Sequence, residues 1–459
     1  MSDLPVVVIG AGPQGLAAAA HLLERGLDPI VLESGRGPGA AVAEWGHVRL
    51  FSEWSELVDQ AAARLLERTG WTAPTSGYPT GAEWVEQYLA PLGKVLGERV
   101  RYDARVTGVS RKGRDRLVDA DRGEQPFTIH LTDAAGNESR LEARAVIDAS
   151  GTWRKPNPAG ADGLPALGET ANSDLVTYSV PDSQAPGRYA GKHTVLLGAG
   201  ASALNAIIEL DRIAQQHPDT TITWVLRRGS TATTYGGGEA DQLPQRGALG
   251  LRARAAVEAG RVQVVTGFRT AEIRRASEGD TGRAVVVAED GRELAPADSL
   301  VVLTGFRPDL SFLSELRLDL DPTLEAPRNI AVEIDPNIHS CGSVQATGAR
   351  DLAHAQEPNL YVVGMKSYGR APTFLAMTGF EQVRSIAAML AGDVEAAERI
   401  ELVLPDTGVC GGSGLYDDPE SASGGGCCAP APALLTIGGP ASLSVGGASS
   451  CGTSSGGCG

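Results

Sequence analysis

"PVVVIGAGPQGLAAAAHLLERGLDPIVLES", residues 5–34, decides the fold. "PVVVIG" is an apolar run of the buried-strand kind, "GLAAAAHLLERG" is built of helix formers and stops at Gly26, and "DPIVLES" is a second buried strand. Between the first strand and the helix, Gly10, Gly12 and Gly15 keep the G-x-G-x-x-G spacing, with Pro13 and Gln14 inside it. Glycine serves there because the chain turns tightly, lets a pyrophosphate approach the backbone, and packs helix on strand with the helix N-terminus facing the phosphate. Glu33 closes the second strand eighteen residues after Gly15, where a carboxylate accepts from ribose hydroxyls. Together these features predict a dinucleotide site, against the bland alternative of a glycine-rich turn that binds nothing.

The pattern returns about 190 residues later in "KHTVLLGAGASALNAIIELDRI" and "TITWVLRRG". Gly198, Gly200, Ser202 and Ala203 occupy the second phosphate loop, alanine standing where the third glycine would be. Arg227 and Arg228 stand where the acid would be, and guanidinium groups there suit the 2′-phosphate of NADPH. The other reading makes both arginines solvated surface charges. Two dinucleotide sites in one chain imply electron transfer from NADPH to a second cofactor, FAD.

Composition bounds the partners. The chain has 459 residues, enough for two or three domains, and its 42% hydrophobic and 21% charged content is that of a globular protein. A formal charge of −16 argues against nucleic acid and against an anionic membrane surface. The opening residues lack the positive region of a signal peptide, and no run of about eighteen apolar residues predicts a membrane span. The expectation is a cytoplasmic protein whose thiols stay reduced.

Between the two units, "WSELVDQAAARLLERTG" places Trp54, Leu57, Val58, Ala61, Leu65 and Leu66 at helical spacing and predicts one amphipathic helix, with a shorter one at "GAEWVEQYLAPLG". Residues 101–150 predict a meander of strands, and Asp290-Gly291 a hairpin. "NLYVVGMKSYGRAPTFLAMTGFEQVRSIAAMLAGD" predicts a strand, a loop and a long helix that starts near Pro372–Thr373 and aims its positive end at the flavin. The expected fold is α/β, two Rossmann-like domains with the NADP domain inserted in the FAD domain. Its expected parts are 1–165 and 301–405 for FAD, 166–300 for NADP, and a low-complexity, disordered tail over 406–459.

"DASG" (148–151) and "LTGFRPD" (303–309) each end a buried strand at a small residue and a glycine, the layout of two-dinucleotide-binding-domain flavoproteins, which the chain resembles over residues 5–395. That resemblance implies FAD contacts at Ser150 and Gly151. In many such proteins a Gly-Asp pair near the end binds the flavin ribityl chain; this chain has Gly364-Met365 there, so the contact is absent or made differently at these candidate cofactor residues. "GHVRLFSEW", "YPTGAEWVEQYL", "GRYAGKHTVLLGAGASA", "TTYGGGEADQLPQRGALG" and above all "VVGMKSYGRAPTFLAMTGFEQVRSI" look like the flavin monooxygenase-like oxidoreductases encoded beside bacterial arsenic-resistance genes. The resemblance implies an FAD- and NADPH-dependent enzyme that oxidises a small soft substrate with O2. The segment "YSVPDSQAPGRYAGK" lacks the glycine and histidine of the Baeyer-Villiger signature. Arg49, Ser52 and Trp54 are the candidate flavin contacts, with core packing the alternative for Trp54; His47 is a proton donor or a structural histidine. Tyr368 and Arg370 are the candidates for the substrate side, and Lys366 and Arg370 either add positive charge at the flavin or are ordinary surface charges.

The six cysteines are Cys341, Cys410, Cys427, Cys428, Cys451 and Cys458, so the body has no dithiol for a disulfide-reductase mechanism unless the tail supplies one. The tail spacings do not match zinc pairs of the C-x₂₋₄-C kind. Cys427, Cys428, Cys451 and Cys458 instead suit a soft three-coordinate ion such as trivalent arsenic, or do nothing specific. Three readings follow: a monooxygenase or oxidase, an arsenite-binding or sensing flavoprotein, and a thiol reductase that uses tail cysteines.

Overall fold

The structure, a computed structural model, describes residues 4–402 apart from 242, 278–281, 339–346 and 373. The chain divides into two units, 1–423 and 424–459; the second lies outside the described residues, as do all six cysteines. The candidate soft-ion ligands Cys427, Cys428, Cys451 and Cys458 are therefore not among the residues described below.

The strands in chain order are β1 (Val6–Ile9), β2 (Pro29–Leu32), β3 (Val100–Arg101), β4 (Arg105–Arg111), β5 (Phe127–Thr132), β6 (Glu138–Ala143), β7 (Ala145–Asp148) and β8 (Val176–Thr177). They continue with β9 (His193–Leu197), β10 (Thr221–Val225), β11 (Val262–Val265), β12 (Thr270–Arg275), β13 (Ala284–Ala288), β14 (Ser299–Val302) and β15 (Leu360–Val362). Two five-stranded sheets result, ordered β15-β7-β1-β2-β3 and β11-β10-β9-β14-β8. Every pairing in both is parallel, so the molecule is an α/β protein with two dinucleotide-type sheets. The first sheet takes its edge strand β15 from beyond the whole of the second, as an inserted unit requires.

Both faces of each sheet are covered, which is why the strands read as unbroken apolar runs. In β1, Val6 and Val8 face helix Pro13–Glu24, while Val7 and Ile9 face Val109, Phe127 and Ile129 of the antiparallel β4-β5-β6 sheet. In the second sheet, Leu196 and Trp224 face helices Ala201–Gln216 and Pro244–Glu258; Val195, Leu197 and Val225 face Ile273 and Val286 of the β12-β13 pair. The turn at Asp290-Gly291 is present: Gly291 has φ +82° and the amide of Ala288 donates to Arg292 O.

Two helices differ from their periodicity. The helix expected from Trp54 onward is two, Trp54–Leu57 and Gln60–Glu67. Asp59 breaks it: its Oδ1 accepts the Ala62 amide as an N-cap, while its Oδ2 meets His21 Nε2 at 2.9 Å in the core. The next helix carries a π-helical stretch, Val85–Leu89. Pro91 has no N–H for the carbonyl of Gln87, which instead accepts from Trp71 Nε1 at 2.9 Å.

A buried charge cluster joins the β4-β5-β6 sheet to the loop before β15. Glu357, fully buried, accepts from Arg111 Nε at 2.8 Å, Arg122 Nε at 2.9 Å and the Arg317 amide at 2.9 Å. Arg111 also lies over the Phe127 ring, 3.7 Å from its centroid. Burial alone would raise the Glu357 carboxyl, but the hydrogen bonds from Arg111, Arg317 and Arg122 outweigh it and hold the group below its usual range. Removing one partner of such a cluster leaves buried guanidinium groups unpaired. E357Q should therefore lower the unfolding free energy at neutral pH by about 3 kcal/mol. A depressed carboxyl contributes stability above the unfolded-state value and loses it on acidification. The gap between wild type and E357Q in urea unfolding should thus be full at pH 7 and shrink as pH falls below about 4.3.

Candidate functional site

Each sheet carries its glycine loop at the carboxyl ends of its strands, where open α/β sheets bind ligands. In the first, Gly10 has φ +101° and an added Cβ would stand 2.8 Å from Ala149 O. A Cβ on Gly15 would overlap Gly10 O, so both positions need glycine for reasons internal to the protein. Gly12 differs: its φ is −78°, it precedes Pro13 at the start of helix Pro13–Glu24, and an added Cβ would meet nothing within 4 Å. Gly151, after β7, has φ +68° and equally open space. Gly12 and Gly151 thus leave a cradle beside a helix N-terminus that admits a pyrophosphate, and the residues present fit FAD.

The second loop repeats the construction. Gly198 has φ +138°, a Cβ there would overlap Leu303 O, and Gly200 opens onto free space at the start of helix Ala201–Gln216. Ala203 is fully buried in the helix–sheet contact, Ser202 half-buried beside it. Trp224 Nε1 donates to Gly198 O at 2.8 Å and steadies the loop, a role its strand position did not reveal. Arg227 and Arg228 follow β10; Arg227 donates to Ala161 O at 3.0 Å and Arg228 to Thr233 Oγ1 at 3.2 Å. The glycine-rich 235–241 segment folds back on helix Pro244–Glu258 and is held by Asp241, which caps Leu243 and pairs with Arg246.

The segments after "DAS" and "LTG" run antiparallel beside each other. The Asn157 amide donates to Gly305 O at 2.9 Å, and the Arg307 amide to Lys155 O at 3.0 Å. Trp153 meets Phe306 at 5.2 Å between centroids and donates to Glu44 at 2.7 Å. A further contact comes from "GHVRLFSEW": His47 Nε2 lies 3.2 Å from Pro181 O, and Val48 packs on the core of the second sheet.

Several predicted site residues have partners within the protein. Glu33 is buried and already holds backbone amides, Ala11 N at 2.6 Å and Gly35 N at 2.7 Å, so it braces the glycine loop. Gln14 donates to Ala376 O at 3.3 Å and packs against Gly364 and Gly379. Arg49 bonds Tyr78 O and pairs with Glu83. Trp54, 5% exposed, lies in the core of the first sheet, and Ser52 is buried. Trp54 and Ser52 offer almost no surface, as the packing alternative for Trp54 expects. Tyr368 is 2% exposed. Its ring stands edge-on to Phe374 at 5.2 Å, and burial raises its hydroxyl far above the ordinary value, a hydrogen bond with Thr378 offsetting this only in part.

Arg370 is exposed, beside Gly163, whose carbonyl accepts from Arg307 at 3.1 Å. Burial first, and then the neighbouring Arg370 cation, lower Arg307. Gly364 has φ +67° and its amide donates to Gln382 Oε1 at 2.8 Å; Met365 beside it is half-buried. The long helix after this loop, Ala376–Leu390, starts after the expected Pro372–Thr373, and Thr373 lies outside the described residues. Lys366, read from sequence as a flavin charge or a surface one, is fully buried against Asp148 at 2.6 Å. A cavity of about 1020 Å³ lined by His193, Thr221, Arg261 and Phe268 lies toward the starts of β9–β11, away from both glycine loops. Among the described residues no cluster of His, Cys, Asp or Glu is arranged for a metal ion, and no helix is long and apolar enough to cross a membrane.

Two glycine cradles on two parallel sheets define a two-dinucleotide oxidoreductase that uses FAD and NAD(P)H. The chain belongs to the pyridine nucleotide-disulphide oxidoreductase family, whose model matches residues 4–366. It is 26% identical over 226 residues to the polycyclic ketone monooxygenase of Thermothelomyces thermophilus, covering 46% of this chain and 32% of that protein. It is 26% identical over 361 residues to the ferredoxin–NADP reductase of Gluconacetobacter diazotrophicus, covering 75% and 86%. The chain thus spans about a third of the first relative's length. Among solved structures, bacillithiol disulfide reductase from Bacillus cereus superposes with TM-score 0.62 at 20% identity, over 85% of this chain and 99% of that one. A flavin-containing monooxygenase from Stenotrophomonas maltophilia gives 0.51 at 24%, over 86% and 99%; both likenesses concern the fold.

The open space at Gly12 yields a test. G12A has no steric conflict inside the protein, so its FAD-free melting temperature should stay within about 2 °C of wild type. The methyl occupies the cradle, and the purified variant should lose bound flavin, read from its absorbance near the visible flavin bands. Flavin retained at the wild-type ratio would place the cofactor elsewhere.

Proposed function

We propose that this chain is an NADPH-dependent, FAD-containing enzyme of the flavin monooxygenase type that oxidises a small soft substrate with O2. FAD binds the first cradle. NADPH binds the second, within the 166–300 insert. The carrying observation is the pair of cradles joined by adjacent crossovers, in a chain whose body has a single cysteine, Cys341, and so no dithiol to relay electrons. Bound FAD would accept a hydride from NADPH and pass the electrons onward. The chain's own residues hold the cofactors, and Arg227 and Arg228 favour the 2′-phosphate of NADPH. Exposed Arg370, with Arg307 beside it, takes the substrate side. The likeness to monooxygenases supports O2 as acceptor. The resemblance of "VVGMKSYGRAPTFLAMTGFEQVRSI" to oxidoreductases encoded beside arsenic-resistance genes supports an arsenical as substrate, with Cys427, Cys428, Cys451 and Cys458 as a thiol trap that delivers it.

The ferredoxin–NADP reductase of Gluconacetobacter diazotrophicus aligns with more of the chain and supports a second reading, in which reduced flavin passes electrons to a protein acceptor. Anaerobic mixing with NADPH should bleach the flavin, and aerobic turnover should accelerate when arsenite is added. NADPH oxidation that ignores both O2 and arsenite but responds to ferredoxin would favour the second reading. Exchanging both arginines, R227S/R228S, should raise KM for NADPH at least tenfold and leave that for NADH nearly unchanged, since charge-assisted bonds to phosphate carry about 1.5–3 kcal/mol.

A further inference from the structure

The end of β7 and the loop after β15 meet in a closed set of polar groups. Lys366 and Asp148 come from positions 218 residues apart, and both side chains are fully buried. Lys366 Nζ donates to Asp148 Oδ2 at 2.6 Å and to Ser150 Oγ at 3.0 Å, and stands 4.4 Å from the centroid of the Phe312 ring. Asp148 Oδ1 accepts from Ser150 Oγ at 2.6 Å and from the Ser150 amide at 3.1 Å. Ser150 itself is exposed, next to the open Gly151 of the FAD cradle.

The directions of these bonds follow from the groups. An ammonium only donates and a carboxylate only accepts. Ser150 must therefore give its single hydrogen to Asp148 and receive one from Lys366. One lone pair remains on this exposed oxygen next to the open Gly151, and no hydrogen is left to offer. A phosphate oxygen has no hydrogen to bring to that lone pair, whereas a sugar hydroxyl does. We infer that Ser150 Oγ is a fixed acceptor for a hydroxyl of bound FAD, on its ribityl chain or its ribose, and that Lys366 and Asp148 are positioning residues that impose this polarity. The inference rests on FAD occupying the first cradle.

Titration of flavin-free protein with FAD tests it. S150A should raise the Kd about tenfold, the size expected for one lost hydrogen bond at the upper end of the usual range. S150T, which keeps the hydroxyl, should stay within about twofold of wild type. K366M should raise the Kd comparably and add nothing further in the S150A background. Repeating the titrations with FMN and with ADP separates the sources: the S150A loss follows FMN for a ribityl hydroxyl and ADP for a ribose hydroxyl. An unchanged Kd in S150A, or effects of S150A and K366M that multiply, would overturn the assignment. S150A and S150T suffice if K366M does not fold. Wild-type protein that takes up no FAD removes the underlying reading, whereas normal uptake unaffected by S150A removes only this one.

Discussion

Everything in this molecule is arranged around one close backbone crossing, made twice. At the end of β1, Gly10 passes within van der Waals reach of Ala149 O; at the end of β9, Gly198 passes under Leu303 O. In each sheet the glycine loop and the returning crossover share a space with no room for a side chain. That crossing sets where the helix begins, hence where its unpaired amides face, and it leaves Gly12 and Gly200 opening outward. The two cradles are thus one solution used twice.

Charge buried behind the cradles ties distant parts of the chain together. Asp148–Lys366 joins the first crossover to the last loop, and Glu357 with Arg111 and Arg122 joins the small antiparallel sheet to the strand that completes the first large one. Buried pairs of this kind are poor sources of net stability but severe penalties for mispairing. They suit a fold whose first sheet must wait for β15, some two hundred residues after β7. Burial also changes what the groups can do: Lys366 spends its donors internally, and its effect on a ligand passes through Ser150.

Much of this was legible in the sequence, because strand and helix periods and glycine spacing are local. The β-α-β units, the meander, the hairpin at Asp290-Gly291 and the α/β class followed from them. The misread helix at Trp54 shows the limit. Its apolar spacing is helical throughout, yet Asp59 gains more from capping Ala62 and meeting His21 than from continuing the helix. The π-stretch before Pro91 left a clue in the proline, but the partner of the freed carbonyl, Trp71, comes from another loop.

The candidate site divides along the same line. By itself the sequence determined which residues form the two glycine loops, since the need for glycine arises within a dozen residues, and it placed Arg227 and Arg228 at the end of β10. It also showed that the body holds no dithiol. Only the tertiary structure decided which side chains are free to meet a ligand. Trp54 and Tyr368 lie in the core, Glu33 accepts backbone amides, and Lys366 is paired rather than exposed. Those outcomes depend on distant segments arriving at one point, 218 residues apart for Asp148 and Lys366, and no local pattern encodes whether a polar side chain finds its partner inside the protein or outside it.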